Sequence, residues 1–131
     1  MVVLDTDLLI GILRLNEEAI EKIKGIEQQN VDIFTTSITS YELFKGAYLS
    51  SNSSKNLLQI SKLLQNMNIL NFDLSASNIS AKIHSHLKKS GAFTGVMDQM
   101  IAAIAISNNK ALVTRNTKHY KNIPSLRSEK W

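Results

Sequence analysis

A chain of 131 residues, 44% apolar and 20% charged, is long enough to bury one core and is patterned as one globular domain spanning residues 1–131. It contains no cysteine, which excludes disulfides and thiolate metal sites, and its three histidines (His84, His86, His119) lack zinc-type spacing. The formal charge of +4 and pI of about 9.4 suit a polyanionic partner such as nucleic acid.

Val2 to Leu4 reads as a buried strand closed by Asp5. No basic segment precedes this apolar run, and Asp5 and Asp7 interrupt it, so it reads as a strand and helix start rather than as targeting sequence. Leu8 to Leu15 forms a short helix, followed by an amphipathic helix with Ile20, Ile23 and Glu27 at helical spacing, ending near Asn30. Val31 to Thr35 is the second strand. Thr39-Ser40-Tyr41-Glu42 has the Ser/Thr-x-x-Glu form of a capping box and opens a helix through Tyr48. Ser50 to Ser54 is a polar break, and Leu57, Ile60 and Leu64 mark the helix after it. Asn68 to Phe72 is a weak strand. Ser75 to Lys89 is a helix with Ile79, Ile83 and Leu87 on one stripe, stopped by Gly91. Asp98 to Ser107 is apolar nearly all round, as a buried helix is. Ala111 to Thr114 is a buried strand, and Pro124 precedes an edge strand near Leu126.

Strands alternating with helices imply an α/β fold with a central, mainly parallel sheet of four to five strands flanked by helices. No window reaches the roughly 18 apolar residues of a membrane span, so a soluble, cytoplasmic protein without membrane association is expected.

Isolated acids in this pattern carry the chemistry. Asp5 closes the first strand, Glu42 lies in the helix after the second, Asp98 opens the helix leading into the fourth, and Asn116 follows that strand. Ligands in open parallel sheets bind at the carboxyl ends of the strands, and right-handed connections bring the starts of these helices to that same edge. The four side chains can therefore converge, although 37, 56 and 18 residues separate them in turn. Carboxylates beside apolar structure are costly unless something pairs with them, and a divalent metal is the partner that several can share. Each residue also has a local explanation. Asp5 and Asp98 can cap helices, Glu42 can complete the capping box, and Asn116 can make a left-handed turn.

Four segments in order carry a family resemblance: Leu4-Asp5-Thr6-Asp7-Leu8-Leu9-Ile10, Ser40-Tyr41-Glu42-Leu43-Phe44-Lys45-Gly46-Ala47, Asp98-Gln99-Met100-Ile101-Ala102-Ala103, and Val113-Thr114-Arg115-Asn116-Thr117-Lys118-His119-Tyr120. Their order and spacing resemble those of PIN-domain ribonucleases, and look most like the VapC-type toxins of toxin–antitoxin pairs. The resemblance runs through essentially the whole chain to Trp131. It implies a PIN-like fold and a Mg²⁺- or Mn²⁺-dependent endoribonuclease. Asp5, Glu42 and Asp98 match the family's central acids, with Asp5 and Asp98 as direct metal ligands and Thr6 and Asn116 in support. Asp7 stands where the family usually has Asn, and His119 where many members carry Asp or Glu. With Asn116 also neutral, the fourth acidic position is weakened, which bears on a second metal more than on hydrolysis.

Phosphate contacts require cations near such a pocket. Arg115, Lys45 and Lys118 are the candidates, with Arg14 and Lys121 nearby in the pattern and Lys82, Lys88 and Lys89 more remote. The resemblance further implies an RNA substrate (tRNA, rRNA or mRNA), a cognate antitoxin that aims a basic side chain at the acids, and a homodimer. Leu43, Phe44, Tyr48 and Leu49 are candidates for a partner surface or for core. Asp5-Thr6-Asp7 also resembles the Asp-x-Asp motif of haloacid-dehalogenase-type phosphatases, but Leu9 stands where they carry Thr or Val, and their late acidic pair is absent. The pattern is also compatible with a PIN-like domain that binds without cutting, and with a housekeeping RNA-processing nuclease.

Overall fold

The structure, a computed structural model, describes residues 1–131. Its elements run β1 (Val2–Leu4), α1 (Thr6–Leu13), α2 (Glu17–Gln28), β2 (Ile33–Thr36), α3 (Ser37–Leu49), α4 (Ser53–Gln65), β3 (Asn68–Leu70), α5 (Leu74–Ser90), α6 (Val96–Ser107), β4 (Ala111–Thr114), α7 (Thr117–Tyr120) and β5 (Ser128–Lys130). The five strands form one sheet in the order β3-β2-β1-β4-β5, every pair parallel. β1 lies at the centre, with Leu4 paired to Val113.

Alternation along the strands divides the apolar side chains between two cores. Val3 and Leu112 join Ile83, Leu87, Ile101 and Ile104 of α5 and α6 on one face. Leu4 and Val113 join Leu8, Leu9, Leu43 and Ile60 of α1, α3 and α4 on the other. Such double coverage explains why the inner strands β1 and β4 read as nearly unbroken apolar runs. No helix is long and apolar enough to cross a membrane.

Local chemistry sets the helix ends. Asn16 accepts from the Ala19 N–H at 3.0 Å to cap α2, and Asp73 accepts from the Ala76 N–H at 2.9 Å to cap α5. Gly91, at φ 73°, ends α5 in the left-handed conformation that glycine adopts freely. Gly11 serves close approach instead. A Cβ there would stand 2.8 Å from the Ala19 Cβ and 3.2 Å from the Trp131 ring.

Several boundaries differ from the sequence reading. α3 begins at Ser37, because Thr36 and not Thr39 is its cap, accepting from the Thr39 N–H at 3.0 Å. Glu42 therefore sits in the second turn, where it has no capping role. Asp98 is the third residue of α6, after Gly95 as cap. Asn116 has φ −91°, so it makes no left-handed turn, and it precedes a short helix the pattern did not reveal. The edge strand is Ser128–Lys130 rather than the segment near Leu126.

Candidate active site

The carboxyl ends of β1 and β4 and the first turns of α1 and α6 meet at one edge of the sheet. Asp5, directly after β1, is 4% exposed. Its Oδ1 accepts from the Thr6 N–H at 2.8 Å, capping α1, so the expected local role coexists with the site. Its Oδ2 accepts from the Thr114 hydroxyl at 2.7 Å and lies 3.1 Å from the Tyr120 hydroxyl. That same hydroxyl lies 3.2 Å from Asp98 Oδ1. Tyr120 thus brings Asp5 and Asp98 together.

Glu42 reaches the same edge through Thr6. The Thr6 hydroxyl donates to Glu42 Oε1 at 2.7 Å and lies 3.1 Å from the Thr39 hydroxyl. One residue therefore contacts Asp5 with its backbone and Glu42 with its side chain. Glu42 also lines an open cavity of about 250 Å³ with Ile10, Leu13, Arg14, Leu43 and Ile60.

Asp7 is a third carboxylate beside the pair. Its Oδ2 accepts from the Arg115 N–H at 2.9 Å and faces the Thr114 hydroxyl at 3.2 Å, and its Oδ1 accepts from the Trp131 indole N–H at 2.9 Å. Asp7 thus ties the start of α1 to the chain after β4 and to Trp131.

Protons are scarce in this arrangement. Thr114 and Tyr120 each face two carboxylates with one hydroxyl proton apiece. No Lys or Arg side-chain nitrogen lies within 4.0 Å of the Asp5, Asp7, Glu42 or Asp98 carboxylates; the His119 ring faces Asp98, with Nδ1 3.5 Å from Oδ2. Burial, and then the charge of Asp7, push the Asp5 carboxyl up to about 7, against the pull of the Thr114 and Thr6 hydrogen bonds. Burial and the two carboxylates drive the Tyr120 phenol far above its usual range, so it stays a neutral donor.

The other sequence candidates lie at the rim. Asn116 is exposed, and its side chain makes no hydrogen bond to the acids. The Arg115 guanidinium pairs with Glu18 at 2.7 Å and stacks over Trp131 at 3.9 Å. Lys45 lies over the Tyr41 ring at 5.2 Å, and exposed Lys118 forms no ion pair. Sequence reasoning gave no role to Thr114 or Tyr120. Thr114 had a signal, a hydroxyl ending the buried run Ala111-Leu112-Val113; Tyr120 had none beyond the segment containing it.

A family model described as PIN domain matches residues 2–124. This chain belongs to the PIN-domain family. Among curated relatives of this PIN domain, the "tRNA(fMet)-specific endonuclease VapC" of Shigella flexneri is 30% identical over 98% of this chain and 96% of its own length. "Ribonuclease VapC2" of Rickettsia felis is 27% identical over the same shares. Among solved structures, VapBC2 from Rickettsia felis bound to a promoter DNA fragment superposes with a TM-score of 0.90 at 27% identity, covering 100% of this chain and 99% of that one. DNA-bound VapBC from Salmonella typhimurium gives 0.88 at 29% identity, covering 99% and 97%. The PIN domain here is of the VapC type.

The donor set of this PIN domain fits a hard divalent cation. It is all oxygen and short of protons, and burial, with the Asp7 and Asp98 charges adding to it, raises the Asp5 carboxyl, a shift that a bound cation would oppose. No three His, Asp or Glu side chains stand close enough to enclose an ion by direct ligation. That arrangement fits Mg²⁺, which takes one or two carboxylates and keeps several waters.

Proposed function

We propose that this PIN domain is a Mg²⁺- or Mn²⁺-dependent endoribonuclease and the toxin of a toxin–antitoxin pair. The observation that carries the reading is the Asp5–Tyr120–Asp98 contact, two carboxylates on one phenol with no Lys or Arg beside them. The names of the VapC relatives support an RNA substrate, and the VapBC complexes among its structural neighbours support a cognate antitoxin.

Asp5 and Asp98 would hold the ion, with Glu42 acting across the gap through water. When bound, the ion supplies positive charge to the scissile phosphate and lowers the pKa of a water. Tyr120 keeps the two carboxylates at fixed separation. Thr6 aims Glu42, half-buried and anchored through one oxygen only, so its second oxygen is free to orient or deprotonate the attacking water. A mere binder of polyanions would gain nothing from grouping negative charge here.

The apolar candidates for a partner surface divide in two. Leu43 is core, whereas Tyr48 (69% exposed) and Leu49 (81%) on α3 are open to a second copy of the chain. Homodimerisation through α3 is part of the proposal.

The test is cleavage of end-labelled total tRNA and rRNA by purified protein with Mg²⁺ or Mn²⁺, with EDTA, and by Asp98→Asn. Discrete metal-dependent cuts, lost in the variant, are expected. No cutting with either metal by a folded protein would overturn the nuclease reading in favour of a binding domain.

A further inference from the structure

Between α5 and α6, the segment Gly91-Ala92-Phe93-Thr94-Gly95 presents an aromatic ring to solvent just before the helix that carries Asp98. We infer that Phe93 is a stacking platform for an unpaired RNA base next to the cleavage site, an inference that rests on the ribonuclease reading above.

Phe93 is 67% exposed, yet its neighbours are fastened. Gly91 turns the chain in the left-handed conformation, and the Ala92 N–H bonds back to the Leu87 carbonyl at 3.2 Å. Ala92 packs on the core formed by α5 and α6. Thr94, 8% exposed, donates its hydroxyl to the His119 carbonyl at 2.7 Å. Its own carbonyl accepts from the Gln99 amide at 2.6 Å. Gln99 is itself 1% exposed, and its oxygen meets His84 Nδ1 at 3.0 Å. The residues on both sides are thus held inward while a large apolar ring is held outward. Apolar burial is forgone there by a well-anchored backbone, not by a loose loop. The His84 ring meets Phe93 edge-to-face, with centroids 6.1 Å apart, which steadies the ring without covering it.

The location points to the occupant. Gln99 follows Asp98 directly, a Cβ added at Gly95 would stand 4.0 Å from Asp98 Oδ2, and His119, whose carbonyl Thr94 binds, faces that same carboxylate at 3.5 Å. Exposed Lys88 and Lys89 end α5 just before the segment, and exposed Lys118 adjoins His119. None of these three lysines forms an ion pair. An aromatic face amid uncompensated cations is the arrangement that recognises single-stranded nucleic acid, the cations tracking phosphates and the ring taking a base. A pre-fixed ring also spares the ordering cost that a mobile one would incur on binding.

The test uses single-stranded RNA carrying 2-aminopurine at successive positions, titrated in EDTA with wild-type protein, Phe93→Ala, Phe93→Leu and Phe93→Tyr. Wild type and Phe93→Tyr should change the fluorescence at one register and bind alike. Phe93→Ala and Phe93→Leu should lose that change and bind roughly five- to 150-fold more weakly, with melting temperatures unchanged because the ring is exposed. If Phe93→Ala matches wild type, the inference is overturned. It is equally overturned if Phe93→Leu matches wild type, since bulk rather than a π face would then suffice. Loss of a protein partner by Phe93→Ala with RNA binding intact would assign the ring to a protein contact and also overturn it. Cleavage with Mg²⁺ or Mn²⁺ reads the ribonuclease proposal separately, because stacking in EDTA needs no cutting.

Discussion

The Tyr120 hydroxyl lies 3.1 Å from Asp5 Oδ2, so the short helix after β4 ends on the carboxylate that closes β1. The phenol has one proton and a second carboxylate, Asp98, at 3.2 Å. It can donate to only one of them at a time. The site is therefore incomplete in protons by construction, and a cation or an extra proton must make up the difference.

Tyr120→Phe tests that bridge with little change of shape, since the ring is 2% exposed and stays in place. Divalent-ion affinity should fall roughly 10- to 100-fold, as when a group that orients metal ligands is removed. Isothermal titration with Mn²⁺ reads this directly. Stability in EDTA should change by only about 1 kcal/mol. Unchanged Mn²⁺ affinity would remove Tyr120 from the site.

Asp5→Asn should stabilise the metal-free protein at neutral and higher pH. The folded chain raises the Asp5 carboxyl from 3.8 to about 7, so it binds its proton more tightly folded than unfolded. Stability from this group is complete below pH 3.8 and is lost as pH rises to about 7, a loss on the order of 4 kcal/mol. Asn has no such dependence, and the Thr114 and Tyr120 hydroxyls can turn to accept from its amide. Melting curves in EDTA from pH 4 to 8 should fall for wild type and stay flatter for the variant, which melts higher at pH 8. Mg²⁺ should raise the wild-type melting temperature and leave the variant's unchanged. A variant less stable than wild type at pH 8 would contradict this.

Asp7→Asn should be costly although nearly isosteric. The Asp7 oxygens face two fixed donors, the Arg115 N–H and the Trp131 indole N–H, each at 2.9 Å. An amide has one oxygen, and its NH₂ must oppose one of those N–H groups. The expected loss is about 1–3 kcal/mol. Trp131→Phe removes one donor, so Asp7→Asn should cost much less in that background. A double-mutant cycle by urea denaturation measures the difference; simple additivity would show that the pair does not interact.

Two glycine substitutions should act in opposite directions. Gly25→Ala, on α2 with nothing within 4 Å of the added carbon, should stabilise by about 0.5–1 kcal/mol. Gly11→Ala places its carbon 2.8 Å from the Ala19 Cβ and should destabilise by about 1–3 kcal/mol through overpacking. Thermal melting of both variants checks the sign.

Asp5 and Asp98 were legible in the sequence because each interrupts apolar chain at a strand end or helix start, a pattern that local rules register, whereas Glu42 was reached through a capping box that the Thr36 cap replaces. The centre of the sheet was legible for a similar reason, since β1 and β4, covered on both faces, read as nearly unbroken apolar runs, whereas the exposed Ser-Glu-Lys of β5 carries no such signal. Helix starts were less so. Thr36 and Thr39 are both plausible caps, and only the geometry shows Thr36 bonding the Thr39 N–H. Thr114, Tyr120 and Trp131 act through contacts more than 100 residues distant in sequence, to Asp5 and Asp7, where spacing carries no information. Arg115 shows the same effect. It reads as a cation next to Asn116, but Glu18, far behind it in the chain, takes its charge.

The central place of β1 bears on how the protein is made. Its neighbours are β2, which follows soon, and β4, which begins only at Ala111. During synthesis Asp5, Glu42 and Asp98 all emerge before Thr114 and Tyr120, the residues that gather them. Pairing across so long an interval must wait for the late strand. A chain interrupted before β4 would have every acid and no frame to hold them, so the hazard of a half-made nuclease is deferred until β4 has been made.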